Sequence, residues 1–396
     1  MTSTAEAASG GAAAGSGPLQ AALRELGLPS SGDRQLAAMV SARLGAPAEI
    51  LSTCIDRHPY DLPAITTRDR FQVSGIARTS DGQDHSYAFF VKVTQSWARS
   101  PLSHEVPEPL RSTMAPLLPW RTEPDLYLSD LRDRLPAGLT VPRAFGVFDL
   151  DDESTAVWLD MVSVRAVSWD VERHRRAAYL LGRLAASRAV APLAAHIPIG
   201  RTARRYADVW LAHNVIPDLC RDDVWGQPLM AATFDADLRA RMLAAVAALP
   251  RLLDELDTVP LATAHGDACT RNLLVTDTDD QLTMIDFGFW GTAPVGFDLG
   301  QLLLGEVQLG ERPAGELPLL ENACLRAYVS GLHDEGGDIT LSQVRRSHAV
   351  LMTIYHAIPA IPYEHRGAEP TPQLHQLYAE RAAATGFILD LIDSTC

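Results

Sequence analysis

The spacing of apolar positions predicts two short helices near the start of the chain. In LQAALRELGL (19–28) and RQLAAMVSARLG (34–45), apolar residues recur every three or four positions, which is the period of an amphipathic helix. The intervening PSSGD contains residues that end one helix and begin another. We therefore predict helical structure, with one break, from Leu19 to about Leu51.

Two later segments are rich in β-branched and aromatic residues and predict β-hairpins. In the first, FQVSGIART and SYAFFVKV flank the turn SDGQD, within residues 71–93. In the second, RAFGVFDL and AVWLDMV flank the turn DDEST, within residues 143–162. Between the hairpins, EPDLYLSDLRDRL has a helical pattern that begins at Glu123. This part of the chain is therefore expected to form a small sheet accompanied by helices.

After Val162 the pattern becomes helical and stays so to the end, apart from one polar hairpin. ERHRRAAYLLGRLAASRAV and FDADLRARMLAAVAALPRLLDEL are both helical. The second predicts a buried helix face through apolar residues three or four apart: Leu238, Met242, Val246, Leu249, Leu253 and Leu256. In the hairpin, NLLV and LTMIDF flank a turn among Asp277, Asp279 and Asp280.

Composition and charge limit the classes of partner. A chain of 396 residues with 47% hydrophobic residues is long enough for two domains with sizeable cores. The formal net charge of −15 argues against nucleic-acid and anionic-membrane partners. The five scattered cysteines favour a reducing cytosol, and MTSTAEAASGGAAAGSGP lacks the features of a secretory signal. We expect a cytoplasmic protein whose residues 1–17 form a flexible tail.

The hairpin contains three oxygen-bearing side chains at informative spacing. Asn272 follows Asp267 by five positions, and Asp286 follows it by nineteen. If Asp286 ends the second strand, antiparallel pairing brings all three side chains to one end of the hairpin. Phosphoryl transfer requires one carboxylate to deprotonate a hydroxyl, and a carboxylate plus an amide oxygen to hold Mg²⁺ on the nucleotide phosphates. This predicts Asp267 as the catalytic base, with Asn272 and Asp286 as metal ligands.

These residues carry a resemblance to a known family. HGDACTRN followed by IDFG resembles the protein-kinase-like superfamily, and Gly266 after the histidine resembles its aminoglycoside phosphotransferase and choline kinase branch. The resemblance covers about residues 71–396 and is motif-like from 264 to 304. It implies that Asp298, in PVGFDLGQLLL, anchors the catalytic loop backbone, and that His265 hydrogen-bonds backbone near the metal-binding segment.

The resemblance also implies a fold and a division of the chain. The fold class would be α+β, a protein-kinase-like bilobal fold with a small sheet-bearing N-lobe and a large, mainly helical C-lobe. Residues 18–162 would form the nucleotide-binding N-lobe with its leading helices. Residues 163–396 would form the helical C-lobe that contains the catalytic and metal-binding hairpin.

The expected cofactors are ATP, or another nucleoside triphosphate, and Mg²⁺. Lys92, in the apolar strand AFFVKV, would be costly to bury unless it met a charge such as phosphate; the alternative is a solvent-facing position. Its carboxylate partner is predicted to be Glu123, with Glu105 and Glu108 as rivals. VWLDMV resembles the linker between lobes, so the residues expected to line the adenine site are Asp160, Met161 and Val162.

The expected activity is transfer of the γ-phosphate to a hydroxyl of a small molecule, such as an aminoglycoside, another antibiotic or a metabolite. Acidic residues that would suit a polycation, or simply be solvated, are Glu306, Glu311, Asp334, Glu335 and Asp338. MTIYHAIPAIPYEH (352–365) could instead line an apolar pocket or a peptide groove. The alternatives are a serine or threonine kinase for a precursor peptide in natural-product biosynthesis, and a nucleotide-binding pseudokinase scaffold.

Two further residues of the catalytic loop have open roles. Cys269 is interpreted as a small loop residue, because phosphoryl transfer needs no thiolate nucleophile. Arg271 would contact phosphate or substrate, or stabilise the loop.

Overall fold

The computed structural model describes residues 16–29, 31–58, 64–106, 108–115, 118–195, 202–276 and 281–395. Most of the expected tail, and the predicted turn among Asp277, Asp279 and Asp280, lie outside these residues. The chain divides into two compact units. The first contains the described residues up to Ser96 together with Arg143–Met161, and the second contains Trp97–Pro142 together with the residues from Val162 onward.

Groups of helices and groups of strands follow one another early in the chain, and helices predominate later. The helices are α1 (Ser16–Glu25), α2 (Gly32–Leu44), α3 (Glu108–Met114), α4 (Thr122–Leu128), α5 (Leu131–Arg134), α6 (Val171–Ala186), α7 (Ala191–Ala195), α8 (Ala203–Tyr206), α9 (Ile216–Leu219), α10 (Asp222–Trp225), α11 (Pro228–Thr233), α12 (Ala236–Leu256), α13 (Phe297–Gln308), α14 (Leu317–Asp334), α15 (Leu341–Met352) and α16 (Pro372–Ser394). The strands are β1 (Ala48–Arg57), β2 (Thr67–Thr79), β3 (Asp84–Gln95), β4 (Leu139–Thr140), β5 (Ala144–Asp151), β6 (Ser154–Asp160), β7 (Leu261–Ala264), β8 (Leu273–Val275), β9 (Leu282–Met284) and β10 (Gly291–Pro294). Short π-helical turns cover Ala207–Val215 and Thr353–Ala357.

The first unit is an antiparallel sheet covered by α1 and α2. Its strand order is β1-β2-β3-β6-β5, and both predicted hairpins, β2–β3 and β5–β6, are confirmed. Its core contains Val73, Phe89 and Trp158, all fully buried. The Trp158 indole donates a hydrogen bond to the Leu26 carbonyl at 2.9 Å, which joins the sheet to the segment after α1.

The prediction of helix as far as about Leu51 was wrong. Helix α2 ends at Leu44, and Gly45 adopts a left-handed conformation with φ 73°, which is a common helix terminator. Pro47 cannot supply a backbone N–H to continue the helix. Strand β1 then begins at Ala48 and pairs antiparallel with β2.

The second unit is mainly helical, and its helices pack closely. Helices α6 and α14 approach each other at two glycines: a Cβ on Gly182 would lie 2.0 Å from the Tyr328 carbonyl oxygen, and one on Gly331 would lie 2.0 Å from that of Tyr179. The predicted apolar stripe on α12 is confirmed. Met242, Leu249, Leu253 and Leu256 are buried, while Leu238 and Val246 pack partly buried against the same core.

Three very short strand pairs of the second unit position the polar hairpin. The predicted pairing of β8 with β9 is confirmed and has the register Leu273↔Met284. The sequence did not predict β4, which pairs with β9 in parallel, or the antiparallel pair β7–β10. Strands of two to four residues are too short to show a period of two, so periodicity could not reveal them.

Residues 97–142 pack with the second unit, although they fall inside the predicted N-lobe of residues 18–162. The chain enters the second unit for the last time at Val162. The functional division at 162/163 stays a prediction.

Two buried histidines of the second unit predict acid sensitivity. Burial lowers the pKa of His348 to about 3, with the charge of His356 adding to the effect, and burial lowers that of His356 to about 4. In the unfolded chain a histidine titrates near pH ~6.5, so below that pH the unfolded state binds more protons than the folded state. The free energy of unfolding should therefore fall as the pH is lowered through that value, by about 2 kcal/mol per histidine at about pH 5.

Urea unfolding of the wild type and His348→Gln, at about pH 7.5 and about pH 5, checks this expectation. The variant should lose less free energy of unfolding on acidification than the wild type does. Equal losses in the two proteins would contradict the assignment of acid sensitivity to His348.

Candidate active site

At the end of the β8–β9 hairpin, Asn272 contacts Asp267 and is bonded to the residue that precedes Asp286. The side-chain nitrogen of Asn272 donates to the Asp267 carbonyl oxygen at 2.9 Å and to its carboxylate Oδ2 at 3.0 Å. The backbone N–H of Ile285, the residue before Asp286, donates to the Asn272 carbonyl oxygen at 3.1 Å. Asp267, the predicted base, therefore contacts Asn272, one of the two predicted metal ligands. Asp286, the other predicted ligand, directly follows Ile285, which is bonded to Asn272.

Asp286 has an unusual backbone conformation. Its φ is 65°, and it is the one non-glycine residue with positive φ among the described residues. This left-handed region is costly for most side chains, although aspartate and asparagine tolerate it best. Strained residues of this kind cluster at functional sites, where the surrounding structure maintains them.

A group of aromatic rings packs around the residue after Asp286. Phe287 is fully buried, with its ring centroid 5.0 Å from that of His265 and 5.7 Å from that of Tyr127. Tyr127 lies on α4, one turn after Glu123. Burial, followed by the charges of Glu123 and Asp286, raises the pKa of the Tyr127 hydroxyl. The charges of Glu123 and Asp286 therefore both raise the pKa of this one hydroxyl within the second unit.

His265 connects the catalytic loop to the metal-binding segment. Its Nε2 lies 3.0 Å from the Ile285 carbonyl oxygen, and its Nδ1 accepts the Asp267 N–H at 3.3 Å. Together these bonds require a neutral ring with the proton on Nε2. Burial lowers the pKa of His265 to about 4, although the charge of Asp286 opposes that shift. The expected structural role of His265 is confirmed by this geometry.

Asp298 holds the backbone of the same loop, as the resemblance implied. Its Oδ2 accepts the N–H of His265 at 2.8 Å, and its Oδ1 accepts the N–H of Gly266 at 2.9 Å. Burial raises the pKa of Asp298 to about 6, and these two backbone donors limit the rise. The carboxylate lies in the first turn of α13, where a negative charge is favoured by the helix dipole.

Gly266 is required by the backbone at this position. Its φ is 84°, and a Cβ added there would lie 2.0 Å from the Phe289 carbonyl oxygen. Gly266→Ala should therefore lower the free energy of unfolding by about 2 kcal/mol or more. Urea unfolding measures the loss. Gly315→Ala is the matched control, because a Cβ at Gly315 meets nothing within 4 Å, and equal small losses in both variants would contradict the prediction.

Lys92 lies on β3, between β2 and β6. It is opposite Arg70 on one side and Val157 on the other, and only 5% of its surface is exposed. The alternative of a solvent-facing lysine was therefore wrong. A buried ammonium group requires a compensating charge.

The predicted linker lies where the chain passes between the two units. Asp160 ends β6, and its carboxylate accepts a hydrogen bond from Arg43 Nε at 2.8 Å within the first unit. Met161 is the last residue of the first unit, and Val162 resumes the second. Glu123 belongs to the second unit and is 4% exposed. The roles of these residues at a nucleotide stay predictions.

The donor atoms on the hairpin fit Mg²⁺. Because the Asn272 amide nitrogen is bonded to two acceptors of Asp267, Oδ1 is the atom that this side chain can present to a cation. Asp286 adds a carboxylate. Across the described ranges no three His, Cys, Asp or Glu side chains gather as a metal cage, and Mg²⁺ usually takes one or two carboxylates together with phosphate oxygens and water.

Two further residues of the loop, Cys269 and Arg271, differ in their surroundings. Burial, followed by the charge of Asp267, raises the pKa of the Cys269 thiol to about 12, so the thiol stays protonated. Arg271 forms an ion pair with Glu311, in which both side chains are 47% exposed. Both interpretations of Arg271, contact with phosphate or substrate and stabilisation of the loop, stay predictions.

Most of the acidic residues considered for substrate recognition already have partners in the second unit. Those pairs are Glu306 with Arg312, Glu311 with Arg271, Asp334 with the Tyr179 hydroxyl, and Glu335 with Arg183. A cationic substrate would have to compete with these bonds. The sequence did not reveal this, because three of the partners lie far away along the chain and Arg312 lies beyond the end of the helix that carries Glu306.

An α+β fold in which an asparagine side chain holds one aspartate, with a second aspartate at the end of the same hairpin, is the arrangement that the sequence predicted for phosphoryl transfer. The sequence model of the APH phosphotransferase enzyme family matches residues 126–328, just over half of the chain. The chain belongs to this family. It is an enzyme that transfers a phosphoryl group to an alcohol group, and the predicted fold class is confirmed.

Solved structures of similar proteins have low sequence identity to this chain. An aminoglycoside phosphotransferase from Alicyclobacillus acidocaldarius is 16% identical, with 87% of this chain and 93% of that chain covered and a TM-score of 0.45. An amicoumacin kinase in complex with AMP-PNP, Ca²⁺ and Ami is 12% identical, covering 90% and 96% at a TM-score of 0.44. A macrolide 2'-phosphotransferase type I is 16% identical, covering 90% and 97% at a TM-score of 0.40.

Among curated proteins, no relative matches the chain significantly. None of the helices in the described part of the chain has the length and apolar character needed to cross a bilayer.

Proposed function

We propose that this enzyme transfers the γ-phosphoryl group of ATP to a hydroxyl of a small molecule, with Asp267 as the base. The observation that supports this is the contact between the Asn272 amide and the Asp267 carboxylate at 3.0 Å, beside the segment that carries Asp286. The amide orients the carboxylate, which accepts the proton of the substrate hydroxyl. The substrate oxygen forms a bond to the γ-phosphorus, and ADP leaves with the bridging oxygen.

The nucleotide is proposed to bind with Mg²⁺ held by Asn272 and Asp286. When bound, the metal neutralises charge on the phosphates. We propose that Lys92 also meets the phosphates and that Glu123 is its carboxylate partner. Both are charged side chains about 5% exposed or less, and such groups persist in protein interiors when they are paired. The backbone of 160–162 is proposed to contact the adenine.

For the acceptor we propose a small molecule with an apolar ring surface rather than a polycation. The acidic candidates are largely bonded to arginine or tyrosine, as described above. Tyr206 and Tyr355 are stacked at 4.6 Å, and Phe297, the residue before Asp298, packs edge-on against Tyr355 at 5.2 Å. All three rings are partly exposed, so this aromatic group supports the interpretation of residues 352–365 as pocket lining.

The test is ATP consumption with Mg²⁺ against a panel of aminoglycosides, macrolides, nucleosides, sugars and choline-like amines, with Asp267→Asn as the blank. A substrate-dependent signal that the variant lacks would support the proposal and name the acceptor class. If no compound gives a signal while ATP still binds, a peptide acceptor or a nucleotide-binding scaffold would be favoured instead.

A further inference from the structure

Glu306, near the C-terminal end of α13, contacts the catalytic loop directly. The Thr270 hydroxyl donates to Glu306 Oε1 at 3.0 Å. Thr270 is 6% exposed and lies three residues after Asp267. It also begins the short 3₁₀ turn Thr270–Asn272, in which the Asn272 N–H donates to the Cys269 carbonyl oxygen at 3.0 Å. The Glu306 contact therefore lies on the turn that presents Asn272.

The second oxygen of the same carboxylate is held by Arg312. Arg312 Nε donates to Glu306 Oε2 at 2.6 Å, and the two side chains are 13% and 17% exposed. The same guanidinium donates to the Trp169 carbonyl oxygen and to Glu316, each at 2.5 Å. Because this pair is largely shielded from solvent, the loss of one partner costs more than it would at a surface ion pair.

Helix α13 thus contacts the catalytic loop at two places. Asp298 in its first turn binds the backbone N–H groups of His265 and Gly266. Glu306 lies eight residues, or about two helical turns, further along and therefore on a similar side of the helix. Between them, a Cβ on Gly305 would lie 2.9 Å from Cys269 Cβ, so the helix backbone lies close against the loop there.

We infer that Glu306 is a positioning residue for phosphoryl transfer. With Thr270 it fixes the turn that presents the Asn272 amide, and that amide in turn orients the Asp267 carboxylate. Glu306 is not a substrate-binding acid in this role, and it touches none of the reacting atoms. The inference rests on the proposed role of Asp267 as the base.

The matched variants are Thr270→Val, Thr270→Ser, Glu306→Ala and, as the control, Glu311→Gln. Valine removes the hydroxyl with little change in shape, whereas serine keeps it. The Glu311 carboxylate contacts Arg271 of the same loop, but that ion pair is about half-exposed, so its loss should have little effect. The acceptor found in the panel, with ATP and Mg²⁺, is the probe for turnover.

We expect kcat to fall at least about tenfold in Thr270→Val and in Glu306→Ala, with the KM for ATP within about twofold of the wild type. Thr270→Ser and Glu311→Gln should stay within about threefold of the wild-type kcat. In the double variant Thr270→Val with Glu306→Ala, the loss should be no larger than the greater single loss, because each change removes the same contact. A kcat near the wild-type value in Thr270→Val, or losses that multiply, would overturn the inference.

Hydrogen exchange at the backbone N–H of Asn272 tests the Thr270–Glu306 contact without a phosphoryl-acceptor substrate. Exchange should be at least about tenfold faster in Thr270→Val and Glu306→Ala than in the wild type and in Glu311→Gln. Unchanged exchange would also overturn the inference. Asp267→Asn, assayed in parallel, separates the two proposals. Full turnover in that variant would refute the role of Asp267 as the base. The exchange result would still show whether the Thr270–Glu306 contact fixes the turn.

Discussion

Asp267→Asn should lower kcat by about a thousandfold while leaving ATP affinity nearly unchanged. A general base contributes about 10²–10⁴ to rate, and asparagine keeps the size of the side chain but cannot take the hydroxyl proton. Its carbonyl oxygen can still accept the hydrogen bond from the Asn272 amide. Steady-state turnover and titration with a non-hydrolysable ATP analogue measure the two quantities separately.

Asp152→Asn is the matched control for this change. Asp152 is exposed in the turn between β5 and β6, so the same loss of one negative charge should leave kcat within about twofold. Turnover of Asp267→Asn within tenfold of the wild type would remove Asp267 from the role of base.

Asp286→Ala should reduce the increase in ATP affinity that Mg²⁺ provides by at least about tenfold, because a carboxylate ligand is lost. Kcat should fall as well, since the metal neutralises the phosphates during transfer. Titration of the nucleotide analogue at several Mg²⁺ concentrations measures the effect. An affinity that depends on Mg²⁺ as it does in the wild type would show that Asp286 is not a ligand.

A second variant controls for the backbone of this position. Alanine at φ 65° is strained in its own right, whereas asparagine tolerates the left-handed region. Asp286→Asn should therefore lose Mg²⁺ dependence with a smaller change in melting temperature than Asp286→Ala. A large loss of stability with unchanged Mg²⁺ dependence, in both variants, would mean that Asp286 is purely structural.

The pairing of β8 with β9 and the contact between Asp267 and Asn272 could be predicted because their geometry is local in the sequence. Asp267 and Asn272 lie within one loop, and a single antiparallel pairing places Asp286 beside them. Lys92 could be recognised as an unusual residue because its charge conflicts with the apolar strand around it. In each case, a few neighbouring residues contained the relevant signal.

Other features depended on contacts that the sequence does not encode locally. Glu306 and Glu311 occur five residues apart and look alike in sequence, yet one is shielded with Arg312 and the other is half-exposed with Arg271. Only packing distinguishes them. The strand β1 was missed for a related reason: its exposed and half-buried residues follow a helix without a clear change of period, and the terminator is Gly45.

The environment of Cys269 constrains covalent inhibition of this enzyme. A cysteine two residues after the proposed base would ordinarily be a target for thiol-directed inhibitors, because a covalently bound inhibitor there could block the acceptor. With a pKa of about 12, this thiol offers almost no thiolate to attack an electrophile at neutral pH. A selective irreversible inhibitor would therefore have to react with a residue other than Cys269.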